Sequence, residues 1–163
     1  MDGGALFSPN KRYATLPLPG HFAGLSYQTR VKLRQLAPRD CFHLALPVAD
    51  RMVGFDLDGS PNAGFSTGLI RVDGKFGRAL PGTTHGRQIN DTEQHDLEVT
   101  VRLADANATI ITTLDGQPLY AWTGPISALS QHENWTTPPG SLALASTTAD
   151  WVVYEVKAKR LEK

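Results

Sequence analysis

Apolar positions recur every second residue in short runs along the chain, and glycine, proline and Asp-Gly pairs separate the runs. From Leu25 to Leu33, one side carries Leu25, Tyr27, Thr29, Val31 and Leu33, and the other carries Ser26, Gln28, Arg30 and Lys32. Only a period of two sorts residues this way, which predicts a half-buried antiparallel strand. The run after His95 repeats the pattern, with Leu97, Val99, Val101 and Leu103 inward and Asp96, Glu98, Thr100 and Arg102 outward. Between these two, Asp40 to Val48, Met52 to Leu57 and Gly68 to Val72 are apolar segments too short for helices, and each ends in a turn signal. Asp58-Gly59 and Asp73-Gly74 are two of those signals. A third pair, Asp115-Gly116, lies between Ala108 to Leu114 and Gln117 to Trp122 and predicts a two-residue hairpin, because aspartate and glycine tolerate positive φ. The run from Trp151 to Ala158 alternates again, with Val152, Tyr154, Val156 and Ala158 on one side, and is expected to pair centrally. The one plausible helical turn is Ile126 to His132, confined by Pro125 before it and by Pro138, Pro139 and Gly140 after it.

These segments amount to roughly ten or eleven strands. The chain has no composition shift and no internal repeat, so residues 1–163 read as one domain. Each strand-built layer has an apolar face that must be covered, and no helices are available to cover it. The expected fold is therefore all-β: two antiparallel sheets packed as a β-sandwich, with very little helix. At 163 residues and 40% hydrophobic, folding can bury about 69% of the chain's surface. Sixteen basic residues balance sixteen acidic ones, which leaves no net field to gather nucleic acid. No segment reaches the ~20 apolar residues that span a bilayer, and the first twenty residues lack the basic start and apolar stretch of a signal peptide. Met1 is equally compatible with a domain cut from a longer chain, so the compartment and the oligomeric state stay open. The single cysteine, Cys41, excludes an internal disulfide and a cysteine-rich zinc site, and its apolar run suggests an inert buried thiol.

The order of segments resembles the concanavalin A-like jelly-roll domains related to the 3-keto-disaccharide hydrolase domain, in a divergent planctomycete-type branch. The resemblance rests on Asp2 with Gly4 to Pro19 (GALFSPNKRYATLPLP), on Leu25 to Leu33, on Val53 to Gly59 with Ser66 to Lys75, and above all on Leu114 to Ser130 (LDGQPLYAWTGPISALS). It implies a jelly roll whose relatives include enzymes acting on oxidised disaccharides, as well as domains of unknown role in larger bacterial proteins. The family's tryptophan-bearing first strand is missing here. So is its Asn-Ser-Gly-Ile segment, whose place is taken by Cys41 to Leu46 (CFHLAL). Of the polar residues in its Glu-Val-Gln-Ile-Leu-Asp run, Val53 to Asp58 (VGFDLD) retains only Asp58, with an apolar residue at the glutamate position. These departures put hydrolase activity in doubt.

The residues themselves offer little catalytic machinery. Glycosidic cleavage needs two flanking carboxylates, and no close pair stands out on a concave face. Asp56 and Asp58 share a side, but Asp58 opens a turn and reads as a cap. The five histidines, His21, His43, His85, His95 and His132, lack metal-ligand spacing, so neither a metal nor a cofactor is indicated. Cys41 has no base beside it in the sequence and there is no Gly-x-Ser-x-Gly elbow, so nucleophilic catalysis is unsupported. The weak catalytic candidates are Asp56, His43 and His85.

Binding is the more natural use of such a surface. Sugars are held by aromatic faces and planar polar groups, and the candidates are Trp135, Arg30, Arg71, Arg87, Asp56 and Asn62. Trp135 lies in the polar loop HENWTTPPG, where it either faces a ligand or plugs one end of the sandwich. Arg30, Lys32 and Arg34 form a basic stripe better explained by pairing with Asp96 and Glu98 than by nucleic acid. The sequons at Asn90, Asn107 and Asn134 are read as chance. The leading expectation is a non-catalytic carbohydrate-binding or attachment module of a larger bacterial protein. The alternatives are a glycoside hydrolase or lyase acting on oxidised saccharides, and a protein-interaction or structural domain.

Overall fold

The computed structural model describes residues 4–8, 13–37, 41–135, 137–146 and 150–162. Asp2, residues 9–12, Asp40 and Thr136, on which parts of the sequence reading fall, lie outside them. The described strands are β1 (Leu6–Phe7), β2 (Ala14–Pro17), β3 (Tyr27–Gln35), β4 (Phe42–Val48), β5 (Arg51–Gly59), β6 (Ser66–Leu69), β7 (Arg71–Val72), β8 (Lys75–Phe76), β9 (Thr84–His85), β10 (Gln94–Ala104), β11 (Asn107–Leu114), β12 (Gln117–Pro125), β13 (Ala143–Ser146) and β14 (Trp151–Arg160). They form two six-stranded antiparallel sheets, β1-β14-β3-β10-β11-β12 and β2-β13-β4-β5-β6-β9, with β7-β8 as a separate small hairpin. Among the described residues helix is confined to single 3-10 turns, and the helical turn expected over Ile126 to His132 is reduced to Ile126–Ala128.

Alternation places the core between the sheets. Tyr27, Val31 and Leu33 of β3 and Leu97, Val99 and Val101 of β10 are fully buried from the first sheet, as are Leu44, Leu46, Val53, Phe55, Leu57 and Leu69 from the second. Rings bridge the layers, Trp151 against Phe42 at 5.6 Å and Tyr120 against Phe55 at 6.0 Å. Both Asp-Gly hairpins have the positive φ pair their turn type needs, 51° and 77° at Asp115-Gly116 and 50° and 71° at Asp73-Gly74. On the outside of the first sheet, Arg30 meets Asp96 through two hydrogen bonds of 3.1 and 2.5 Å.

Two expectations need correction. The segment from Gly68 to Val72 is not one strand. Its amide at Ile70 still donates to the Gly54 carbonyl of β5 at 2.8 Å, and beyond that residue the chain leaves the sheet and continues as β7. Gly54 makes this possible, because a Cβ there would lie 2.3 Å from Ile70 Cδ1. In β14, a register shift between Val153 and Glu155 breaks the alternation. Trp151 and Val153 therefore enter the core, Val156 packs against it, and the expected face of Val152, Tyr154, Val156 and Ala158 does not hold together. Strand β14 lies inside its sheet, between β1 and β3.

A second irregularity, between Asp56 and Gly59, makes Asp58 structural. Its φ of 57° and its complete burial turn the carboxylate toward the chain of β9 and beyond. There it accepts hydrogen bonds from the amides of Gln88 at 2.7 Å and Ile89 at 3.0 Å. Burial, the largest influence, pushes the Asp58 carboxyl above its ordinary range, and these two amides partly oppose that shift.

Candidate functional site

Because Phe42, Leu44 and Leu46 of β4 and Val53, Phe55 and Leu57 of β5 point into the core, the alternate residues His43, Ala45, Gly54 and Asp56 lie on the outer face of the second sheet. A loop covers part of this face. Trp135 is 7% exposed. One side of the indole lies against the His43 ring at 4.2 Å, and Tyr13 meets it edge-on at 5.3 Å. Trp135 is thus a packing residue rather than the open platform expected of a sugar-stacking side chain. Only about 10 Å³ remains between it and the strands.

Beside this covered patch the face opens into a groove of about 120 Å³, whose lining includes Asp56, Ser60, Ser66, Phe76, Arg78 and Thr83. Phe76 is 49% exposed and has the Arg71 guanidinium over its ring at 5.0 Å and His132 at 5.6 Å. Arg71 also donates to Glu133 at 3.1 Å. The Glu133 carboxyl is held below its usual range first by its own backbone amide and then by His132, with Arg71 adding to the effect. Hydroxyls, a carboxylate, the Arg78 guanidinium and one aromatic ring therefore line one shallow depression. Asp56 is the one carboxylate lining it among the described residues.

The other sequence candidates scatter. Arg30 lies on the outer face of the opposite sheet, held by Asp96. Arg87 donates to Gln35 Oε1 at 2.6 Å and lies 5.9 Å over Phe65. Asn62 is exposed in the turn Pro61–Ala63. His85 is exposed on β9, opposite Ser66. His43 and Asp56 do come together, because they are cross-strand partners in the β4–β5 ladder and Nδ1 meets the Asp56 Oδ1 atom. The sequence reading missed Phe76, Arg78, Ser60, Ser66 and Thr83. The available signal was an aromatic three residues past Asp73 in a short glycine-flanked hairpin, where no core needs filling.

The statement that Cys41 has no base beside it is also corrected. Residues two apart in an extended chain face the same way, and Cys41 Sγ lies 2.8 Å from His43 Nε2. A chain of contacts runs Cys41, His43, Asp56 along the outer face. A separate, larger cavity of about 310 Å³ opens at the edges of the two sheets, with Phe7, Leu16, Phe42, Leu144 and Trp151 in its mainly apolar lining.

No family model matches the chain, and no curated protein matches it in sequence. Solved structures do match in shape. Galectin LEC-6 of Caenorhabditis elegans superposes with a TM-score of 0.53 at 13% identity, over 95% of each chain. A legume lectin-like domain from Entamoeba histolytica gives 0.54 at 10% identity, over 95% of this chain and 82% of its own. The exoplasmic/lumenal domain of VIP36, in its Ca2+/Man-bound form, gives 0.56 at 13% identity, over 98% and 84%. At such identities the likeness shows the fold: a lectin-type, concanavalin A-like jelly-roll sandwich.

Proposed function

We propose that the protein binds carbohydrate, without cleaving it, in the groove bounded by Asp56, Ser66, Phe76 and Arg78. The observation that supports this most directly is the half-exposed Phe76 ring set among hydroxyl, carboxylate and guanidinium groups on the outer face of a lectin-type sandwich. An aromatic ring packs against the C–H face of a sugar while fixed polar groups bond its hydroxyls. The groove's volume of about 120 Å³ suits part of one sugar ring, with the rest of a glycan lying outside. The galectin and the Ca2+/Man-bound VIP36 domain lend the reading their fold. The motif resemblance to the 3-keto-disaccharide hydrolase branch adds that the ligand is a saccharide.

Cleavage is the weaker reading. Hydrolysis by the usual route takes two carboxylates about 5 to 9.5 Å apart across the bond, and among the described residues the groove lining offers Asp56 alone. A glycan-array screen of the wild type and Phe76→Ala tests the proposal. The wild type should retain a defined set of glycans, and the variant should bind them about tenfold more weakly, the loss expected for one stacking contact. No glycan bound by the wild type removes the carbohydrate reading. Undiminished binding by Phe76→Ala moves the site out of this groove. Release of reducing sugar from a bound glycan overturns the non-catalytic part.

A further inference from the structure

Behind the sugar groove, and sharing Asp56 with it, lies a cluster of Cys41, His43 and Asp56. One thiol, one imidazole nitrogen and one carboxylate oxygen all lie within 4.8 Å of one another. Backbone geometry brings them together: Cys41 and His43 alternate along one side of the chain entering β4, and Asp56 is the cross-strand partner of His43. The site is shielded, with Cys41 5% and His43 6% exposed. Trp135 lies over the imidazole at 4.2 Å. Around His43 lie the apolar Ala45, Gly54, Ile70 and Ala145 together with the polar Thr15, Gln131 and Thr137, of which Gln131 donates to Thr137 at 2.8 Å. His43 Nδ1 and Asp56 Oδ1 are buried atoms whose contact is with each other. The second oxygen of Asp56 occupies space that Gly59 leaves open, since a Cβ there would lie 2.7 Å from Oδ2. Taking these groups out of water is costly unless something repays it.

The donor set indicates what would. Calcium and magnesium take oxygen ligands, whereas a thiolate, an imidazole and a carboxylate together are the ligand types of zinc and its first-row neighbours. Three protein ligands leave a fourth tetrahedral position for water. We propose that Cys41, His43 and Asp56 bind one zinc-class divalent ion, through the thiolate, one ring nitrogen and one carboxylate oxygen. Metal–ligand bonds of about 2.0–2.3 Å at tetrahedral angles hold donor atoms about 3.5 Å apart. The 2.8 Å between Sγ and Nε2 must therefore widen by less than an ångström, and the closer contact between His43 Nδ1 and Asp56 Oδ1 must open further than that as the ion enters.

Because Cys41 is the only cysteine, cobalt makes a specific probe. Reduced, chelator-stripped protein titrated with Co2+ should take up one ion per chain. It should develop a thiolate-to-cobalt band in the near ultraviolet with the visible bands of a tetrahedral ion, displaced by Zn2+ and indifferent to Ca2+. With far-UV circular dichroism unchanged, Cys41→Ser should lose the near-ultraviolet band, and Asp56→Asn should bind Co2+ about tenfold or more weakly. Absence of one-to-one uptake by the wild type overturns the proposal, as does a near-ultraviolet band that survives in Cys41→Ser. Should a variant fail to fold, the wild type decides alone. Zn2+ should raise Tm in a concentration-dependent way and protect the thiol from a disulfide reagent, and Zn2+ that does neither refutes the site. Asp56 is common to both proposals, so they are told apart by Phe76→Ala, which lies outside the cluster, and Cys41→Ser, which lies outside the groove.

Discussion

Asp58 offers the sharpest test of how the second sheet is held to the chain beyond β9. Replacing it with alanine removes the acceptor of both the Gln88 and Ile89 amides, and Ile89 is fully buried. Each stranded donor costs about 1 kcal/mol at the low end. The φ of 57° costs alanine about 1 kcal/mol more than aspartate, whose short polar side chain tolerates that region. Against this, the variant no longer buries a carboxylate, so the net loss should be about 2–3 kcal/mol. Asp58→Asn keeps the shape, the backbone tolerance and one acceptor oxygen, and should lose about 1 kcal/mol. Urea denaturation at pH 7, with the m-value held constant, measures both. The pH dependence adds a second reading. Burial raises the folded-state pKa above the unfolded value, so the folded state favours the proton. That contribution is complete below the unfolded pKa near 4 and is lost as pH rises through the folded one. Asp58→Asn should lack this decline. If alanine costs less than about 1 kcal/mol, or asparagine costs as much as alanine, the carboxylate does not anchor the loop.

His95 should make stability fall at higher pH. Burial, the largest influence, lowers its pKa but is outweighed by Asp115 and Asp91, which bond its two nitrogens at 2.7 and 2.8 Å and raise it overall. The imidazolium is therefore favoured by folding, and its contribution is full below about pH 6.5 and lost as pH climbs through the raised value. NMR titration should place His95 above an ordinary histidine, and the Asp91→Asn, Asp115→Asn double variant should bring it down and flatten the decline. An unchanged titration would show the two contacts to be without effect. For Arg30, both partners of the ion pair are substantially exposed, so Arg30→Ala should leave the urea midpoint unchanged at physiological salt. A shift as large as that of Asp58→Ala would contradict this.

The sandwich was legible in the sequence because strand periodicity is local. Tyr27 to Leu33 and Leu97 to Val101 announce their buried faces residue by residue, and the Asp-Gly pairs carry their own turn geometry. Where the ladder departs from strict alternation, the pattern fails. The bulge before Glu155 inverts the face of β14, and the irregularity between Asp56 and Gly59 turns Asp58 inward. The first is fixed by pairing with β3, far away in the chain, and the second by how β5 pairs with the following strand β6, which alternation alone does not specify. The candidate site divides the same way. Strand parity alone puts Cys41 and His43 on one side, whereas only the β4–β5 register sets Asp56 opposite His43. Only tertiary packing lays Trp135 over that histidine and leaves Phe76 in the open. Periodicity determines which residues share a face, but the occupant of the space above that face comes from loops far away in the chain, whose position depends on the assembled sheets.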